Sequence, residues 1–348
     1  MSFRTLSNLA LALILASCSS QRSPIVPGAK PKDHGAIGAT EGPAWKDGSL
    51  YFTDGTHINR LGPDGKTTVF RHNASNGLLF DKEGRLIACE SGLRRVTRTE
   101  KDGSITVLAG RFEGKRFNSP NDLCMDSKGR IYFTDPRYGS RAGMEILEPH
   151  ILMASLPAYL RRDKAAAPRI DHTKLPFSIP STYYCEGVYR IDSPGRVRLI
   201  LHGGIDQALL ERPNGILISP DDRYLYIADN NNDHHGGARK LLRYRLNKDG
   251  ELDSGSRKVI FDWKDGRGPD GMKMDSAGRI YVAAGTNKPT EFENTSFKAG
   301  CYILSPSGRL LDFIPVGPDE CCNCAFGGKD GKTLFITSGS HLWSVSLR

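Results

Sequence analysis

Apolar and polar positions alternate in short runs along most of the chain, and the runs come in pairs joined by Asp/Gly-type turns. EGPAWKDGSLYFTD from Glu41, NDLCMDSKGRIYFTDP from Asn121, NGILISPDDRYLYIADN from Asn214 and DGMKMDSAGRIYVAA from Asp270 share one pattern. A polar residue is followed by a strand, a tight turn and a second strand. NGLLFDKEGRLIACE from Asn76 and NCAFGGKDGKTLFITS from Asn323 are weaker copies. Between them lie further Gly-centred turns, in RLGPDGKTTVF, TRTEKDGSITVL, YRIDSPGRVRLIL, YRLNKDGELDS and ILSPSGRLLDF. Period-2 alternation closing on such turns predicts β-hairpins. Each unit therefore holds four strands, A and B around the first turn and C and D around the second.

Repeats of roughly 40 to 50 residues built from short strands predict the blades of a β-propeller. The anchor residues Glu41, Asn76, Asn121, Asn214, Asp270 and Asn323 are spaced by 35, 45, 93, 56 and 53 residues, so the third interval carries an insertion, over about 137–181. The expected fold is all-β: a six-bladed β-propeller with four-stranded antiparallel blades and one lid-like insertion. The sixth blade runs out of chain after a third strand, HLWSVSLR. An unpaired edge there is a liability that ring closure removes, so the segment around Gly28 to Ala39 is expected to supply the missing outer strand.

Length and composition agree with one large domain, over residues 33–348: the chain has 348 residues, 38 of them Gly, and few long apolar stretches of helical period. Arg4 precedes a short apolar run, Leu9 to Ala16, too short for a stable membrane span and ending in small residues. It reads as an export signal over 1–17. The stretch Leu15, Ala16, Ser17, Cys18 resembles a bacterial lipoprotein signal, which makes Cys18 the lipidation site and 18–32 a polar tether. The expected location is a membrane-anchored lipoprotein facing the periplasm or the cell exterior; an ordinary cleaved signal is the alternative.

The formal net charge of +9 changes little. Lysines and arginines are scattered through turns rather than gathered in a stripe with interleaved aromatics, which argues against nucleic acid. Seven cysteines remain besides Cys18. Cys89 and Cys124 fall in predicted strands as small buried hydrophobes. Cys321, Cys322 and Cys324 flank Asn323 and could suggest a thiolate metal site, but they lack a second pair at zinc-finger spacing, so packing or a local disulfide is expected of them ahead of it.

In an up-and-down blade the starts of A strands and the ends of B strands open on one face. The anchors therefore converge near the axis, beside Asp135 to Tyr138 and Asp229 to His235. Asn-Gly and Asp-Gly pairs are turn formers when taken singly, but their equivalence across blades marks Glu41, Asn121, Asn214 and Asp270 as a set. Oxygen donors without imidazole or thiolate are hard ligands, suited to Ca²⁺ or Mg²⁺ over Zn²⁺. Two close carboxylates would otherwise force a proton onto one of them.

EGPAW, GKRFNSPNDLCMDSKGRIYFTDPRYG, RPNGILISPDDRYLYIADN, GPDGMKMDSAGRIYVAA and NCAFGGKDGKTLFITS together resemble the senescence marker protein 30/gluconolactonase family from about Glu41 to the C-terminus. The resemblance implies a six-bladed propeller that holds a divalent cation, Ca²⁺ before Mg²⁺ or Zn²⁺, through Glu41, Asn214 and Asp270, with Asn121 at the metal, its water or the substrate. It also implies hydrolysis of a small-molecule sugar lactone. Asp270 is the candidate general base, with Asp122, Asp135 and Asp229 as alternative proton acceptors. Arg137, Tyr138, Asn230 and His234 are candidate substrate contacts, together with Asn121. The insertion and the lipoprotein-like start depart from the family pattern. A metal-dependent esterase or phosphotriesterase, or a catalytically silent propeller that binds carbohydrate or protein, are the competing readings.

Overall fold

A computed structural model of the chain describes residues 23–73, 76–139, 145, 186–203 and 210–348. The expected signal segment and Cys18 lie outside the described residues, as does the 137–181 insertion apart from Arg137, Tyr138, Gly139 and Glu145. The described residues form six four-stranded antiparallel sheets. The strands, from A to D, are Glu41–Lys46, Ser49–Thr53, His57–Leu61 and Thr67–His72 in blade 1, and Leu78–Phe80, Leu86–Glu90, Arg95–Thr99 and Ile105–Ala109 in blade 2. Blade 3 comprises Leu123–Met125, Ile131–Asp135, Glu186–Ser193 and Arg196–Gly203; blade 4, Pro213–Ile218, Tyr224–Asn230, Arg239–Leu246 and Leu252–Asp262. Blade 5 comprises Pro269–Met274, Ile280–Ala284, Gly300–Leu304 and Leu310–Pro315. A small hairpin, Arg111–Phe112 with Lys115–Arg116, lies between blades 2 and 3.

Blade 6 closes the ring as the missing strand requires. Cys321–Gly327, Thr333–Ser338 and His341–Ser346 supply its inner three strands, and Lys32–Ala36 from the other end of the chain pairs outside them, Lys32 against Ser344 and Ala36 against His341. Docking starts earlier still, within the stretch read as a tether. Ile25 bridges Leu347, and Arg348 N–H donates to the Pro24 carbonyl at 2.8 Å.

The core is divided as the blades are, with one apolar cluster at each of the six junctions. Leu50, Phe52 and Phe335 join blades 6 and 1, and Leu225, Ile227 and Tyr132 join blades 3 and 4. Each such side chain contributes about 1.5–3 kcal/mol by leaving water, so every blade is held by its two neighbours. Around the axis, each A strand touches the A strands on both sides and the ring is complete.

The A-to-B turns explain a recurring piece of sequence. In DKEGR, DSKGR and DSAGR, the Asp carboxylate accepts from the backbone N–H of the Arg and pairs with its Nε, at 2.7 Å for Asp81–Arg85, 2.6 Å for Asp126–Arg130 and 2.6 Å for Asp275–Arg279. These pairs lock the turns on the face opposite the anchors and belong to the scaffold.

Candidate active site

Each A strand that carries a hub donor starts beside the end of its own B strand: Glu41 faces Thr53, Pro213 faces Asp229, Pro269 faces Ala284 and Cys321 faces Ser338. At this place blades 1, 4, 5 and 6 each carry a register shift. A bulge of one residue re-aims a side chain, and here it lets the anchors turn toward the axis.

Register then fixes which residues are equivalent. Ala44 pairs with Tyr51, Cys124 with Tyr132, Leu217 with Tyr226, Lys273 with Tyr281 and Ala325 with Phe335, each of these partners being the central aromatic of an apolar triplet (LYF, IYF, LYI, IYV, LFI) in its B strand. Counting back three positions gives Glu41, Asn121, Asn214, Asp270 and, in blade 6, Cys322. The sixth anchor is thus Cys322, and the placement of Asn323 at that address is corrected by one residue. Asn323 occupies the position that Gly42, Gly77, Gly215 and Gly271 fill elsewhere, and Asp122 fills it in blade 3.

Those glycines are spacers. A Cβ on Gly42 would lie 2.3 Å from the Asn76 carbonyl oxygen, one on Gly77 2.8 Å from that of Asn121, and one on Gly215 2.1 Å from that of Asp270. The backbones of Asn76, Asn121 and Asp270 are thus packed against the glycine of the preceding blade, so the Asn-Gly and Asp-Gly pairs open strands instead of making turns. The threonine of YFTD binds the ring from the side: Thr134 Oγ1 donates to the Asn214 carbonyl at 2.6 Å.

At the hub, carboxylate oxygens of Glu41 and Asp270 and the Cys322 Sγ all lie within 4.8 Å of one another. Asp270 is buried, while Glu41 is half-buried. Burial first, then the Asp270 charge, pushes the Glu41 carboxyl well up from its ordinary value, and Asn323 Nδ2 donates to its Oε2 at 3.1 Å. Burial pushes Asp270 up to about 7 against the pull of Arg267, whose Nη2 lies 3.2 Å from its Oδ2. Arg267 is shared with Glu320 at 2.8 Å. Asn214 is buried and its Oδ1 has no partner. Two carboxylates competing for a proton, with an orphaned amide oxygen at the equivalent address of the adjoining A strand, fit a divalent cation. Asn121 shares the anchor address and is buried.

The alternative proton acceptors have other duties. Asp135 accepts from Asn118 N–H and Ser119 N–H at 2.9 and 2.8 Å, and Asp229 from Arg212 N–H at 2.7 Å. Both carboxylates are fully buried and fasten the loops that lead into Asn121 and Asn214. Asp122 is buried next to the hub, its Oδ1 accepting from Leu123 N–H at 2.9 Å.

Four of the five expected substrate contacts, Arg137, Tyr138, Asn230 and His234, form a single network next to Asn214, and Asn121 stands outside it. Tyr138 Oη donates to the Asn230 carbonyl at 2.7 Å and lies 3.5 Å from Asn214 Nδ2. The Asn230 side chain is buried with both polar atoms unpartnered. Arg212 stacks over the Tyr138 ring, 5.3 Å from its centroid, and pairs with Asp233, which holds His234 Nδ1 at 2.8 Å. Arg137 Nε meets Glu186 Oε1 at 2.7 Å. Burial pushes Glu186 up to about 7, against Arg212 and Arg137. His234 is therefore tied to a carboxylate in the network and is not among the hub donors.

Glu186, Arg212, Arg267 and Glu320 escaped the sequence reading, and Cys322 counts there only among its neighbouring cysteines and not as an anchor. The two arginines had a signal, since each stands just ahead of an anchor, in RPNG and RGPDG. Glu186 opens a C strand with no local motif. Of packing or a local disulfide, the structure shows packing: Cys321, Cys322 and Cys324 are free thiols, and Cys321 and Cys324 pack in the cluster between blades 5 and 6.

A family model described as SMP-30/Gluconolactonase/LRE-like region matches residues 39–340. A gluconolactonase of Zymomonas mobilis is 29% identical over 328 residues, covering 87% of this chain and 76% of that protein. The structure of a gluconolactonase from Xanthomonas campestris superposes with a TM-score of 0.66 at 27% identity, over 93% of this chain and 92% of that one. A calcium-binding protein, regucalcin, from Agrobacterium tumefaciens shares the fold, with a TM-score of 0.61 at 16% identity over 90% of this chain and 92% of that one.

Proposed function

The chain belongs to the SMP-30/gluconolactonase/LRE-like family, and from that premise we propose that it opens a sugar lactone by hydrolysis at the hub, with a divalent cation as cofactor. The observation that carries this reading is the convergence of the Glu41 and Asp270 carboxylates, with Asn214 at the equivalent address of the blade next to Asp270 and its Oδ1 buried without a partner. Glu41, Asn214 and Asp270 would hold the cation, with Asn121 adjoining; oxygen donors and the calcium-binding relative favour Ca²⁺. When bound, the cation supplies Lewis-acid polarisation of the lactone carbonyl.

The chain's own residues do the rest. Arg267 holds Asp270 Oδ2 and orients the carboxylate, and Asp270 takes the proton of the attacking water. The water oxygen bonds to the carbonyl carbon and the ring C–O bond breaks. The proton returns from Asp270 to the departing alkoxide, giving the open hydroxy acid. Tyr138, held by Asn230 and Arg212, and Arg137, held by Glu186, orient the sugar hydroxyls from the neighbouring wall.

Chelator-sensitive acid release from gluconolactone in a pH-stat, with no turnover of an aryl phosphotriester, is expected. Asp270→Asn should lower kcat/KM by about 10²–10⁴-fold. Undiminished lactone hydrolysis in that variant would remove the mechanism, and phosphotriester turnover at a comparable rate would favour the esterase alternative. The apolar run before Cys18 further supports export and lipid anchoring at that residue. Incorporation of a labelled fatty acid that persists in Cys18→Ala would refute it.

A further inference from the structure

The six-fold register assigns an address to a residue that the hard-ligand reading leaves unused. Cys322 stands where the other blades carry Glu41, Asn121, Asn214 and Asp270. It is the extra residue of the bulge between Cys321 and Asn323. Its neighbours Cys321 and Cys324 point into the apolar cluster between blades 5 and 6, whereas the Cys322 Sγ comes within 4.8 Å of the carboxylate oxygens of Glu41 and Asp270. No disulfide engages it. The Oδ1 of Asn214, at the same address two blades away, is buried without a partner.

We infer that Cys322 is a thiolate ligand of the hub cation, and that it makes this a mixed oxygen and sulfur site that prefers borderline-soft ions such as Zn²⁺ or Co²⁺ over Ca²⁺. The inference rests on the divalent-cation reading above and alters the choice of ion. An ion about 2.0–2.2 Å from oxygen and about 2.3 Å from sulfur holds the donors of a tetrahedral set about 3.5 Å apart, inside the 4.8 Å within which the Glu41, Asp270 and Cys322 donor atoms lie. Thiolate selects softer metals, while carboxylates and amide oxygens serve Ca²⁺ equally well. Glu41, Asn214, Asp270 and Cys322 give four donors from four blades, enough for a tetrahedral set. On binding, the S–H bond is replaced by a bond from sulfur to the ion and one proton passes to solvent.

The test is direct metal binding to the purified full-length protein after chelation. Co²⁺ bound to the wild type should show a sulfur-to-cobalt charge-transfer band in the near ultraviolet, absent in Cys322→Ser and retained in a Cys89→Ala control. Zn²⁺ affinity by calorimetry should fall at least about tenfold in Cys322→Ser, with Ca²⁺ affinity changed less. If Cys322→Ser fails to fold, the wild-type cobalt spectrum and its loss on alkylation of Cys322, mapped by mass spectrometry, decide the matter. Cobalt that binds without a charge-transfer band, or equal Zn²⁺ affinity in both proteins, overturns the thiolate ligand and leaves the lactonase reading standing. Failure of the wild type to bind any divalent ion overturns both.

Discussion

Asp270 shows how one carboxyl can be prepared for two uses. Burial pushes its pKa up to about 7, with Arg267 opposing, so in cation-free protein the group holds a proton through the mildly acidic range. An acid whose folded pKa exceeds its unfolded value, near 4, contributes stability that is fully present below about pH 4 and lost as pH rises through about 7. A bound cation reverses this, because it needs the carboxylate and competes with the proton. The melting temperature of chelated protein should therefore fall between pH 5 and pH 8. Added Ca²⁺ or Zn²⁺ should raise it more at pH 8 than at pH 5, by several degrees at about 2–4 °C per kcal/mol. Scanning fluorimetry at the two pH values checks this; equal cation shifts would contradict it. At the residue scale Glu41, Asn214 and Asp270 were legible because their side chains carry the chemistry in their own formulae. Arg267 and Glu186 were not, since an ion pair is a property of two distant residues and neither reveals its partner.

At the scale of strands, the A strand acts as a mount. Its bulge turns the anchor inward, and the glycine after it lets the next blade's backbone pass close by. Gly215 is the tightest of the carbonyl contacts among these spacers, since backbone atoms stand on the far side and cannot swing away. Gly215→Ala should cost about 1–3 kcal/mol or more through overpacking and weaken cation binding, because Asp270 would be pushed off its position. A Cβ on Gly92 would meet no atom within 4 Å, and its φ is not left-handed, so Gly92→Ala should stay within about 0.5 kcal/mol of the parent. Urea melts of the two variants compare them, and a neutral Gly215→Ala would show that the hub is looser than its geometry. Strand pairs and turns were legible from alternation and from DSKGR-type turns. The role of the glycines was not, because Asn-Gly reads locally as a turn and only the neighbouring blade shows that it is a clearance.

At the scale of the molecule, closure decides the fold. Lys32–Ala36 completes blade 6 beside the last strand of the chain, so the two ends of the sequence hold the ring together. Removal of residues 1–36 should abolish the cooperative thermal transition, while removal of residues 1–22 should leave it. Circular dichroism melts of both truncations test the closure, and a cooperative transition in the shorter protein would refute it. The amino-acid sequence alone determined the blade count, the four-strand unit, the need for an outer closing strand and the equivalent addresses of Glu41, Asn214 and Asp270, because alternation, turn chemistry and residue type are local properties. Tertiary structure alone decided that Cys322, and not Asn323, is the sixth anchor. Side-chain likeness pointed to the asparagine, but the pairing of Ala325 with Phe335 fixes the register of that strand; a count that slips by one residue exchanges neighbours at the anchor address, and Asn323, one place on, instead donates to Glu41 from beside it.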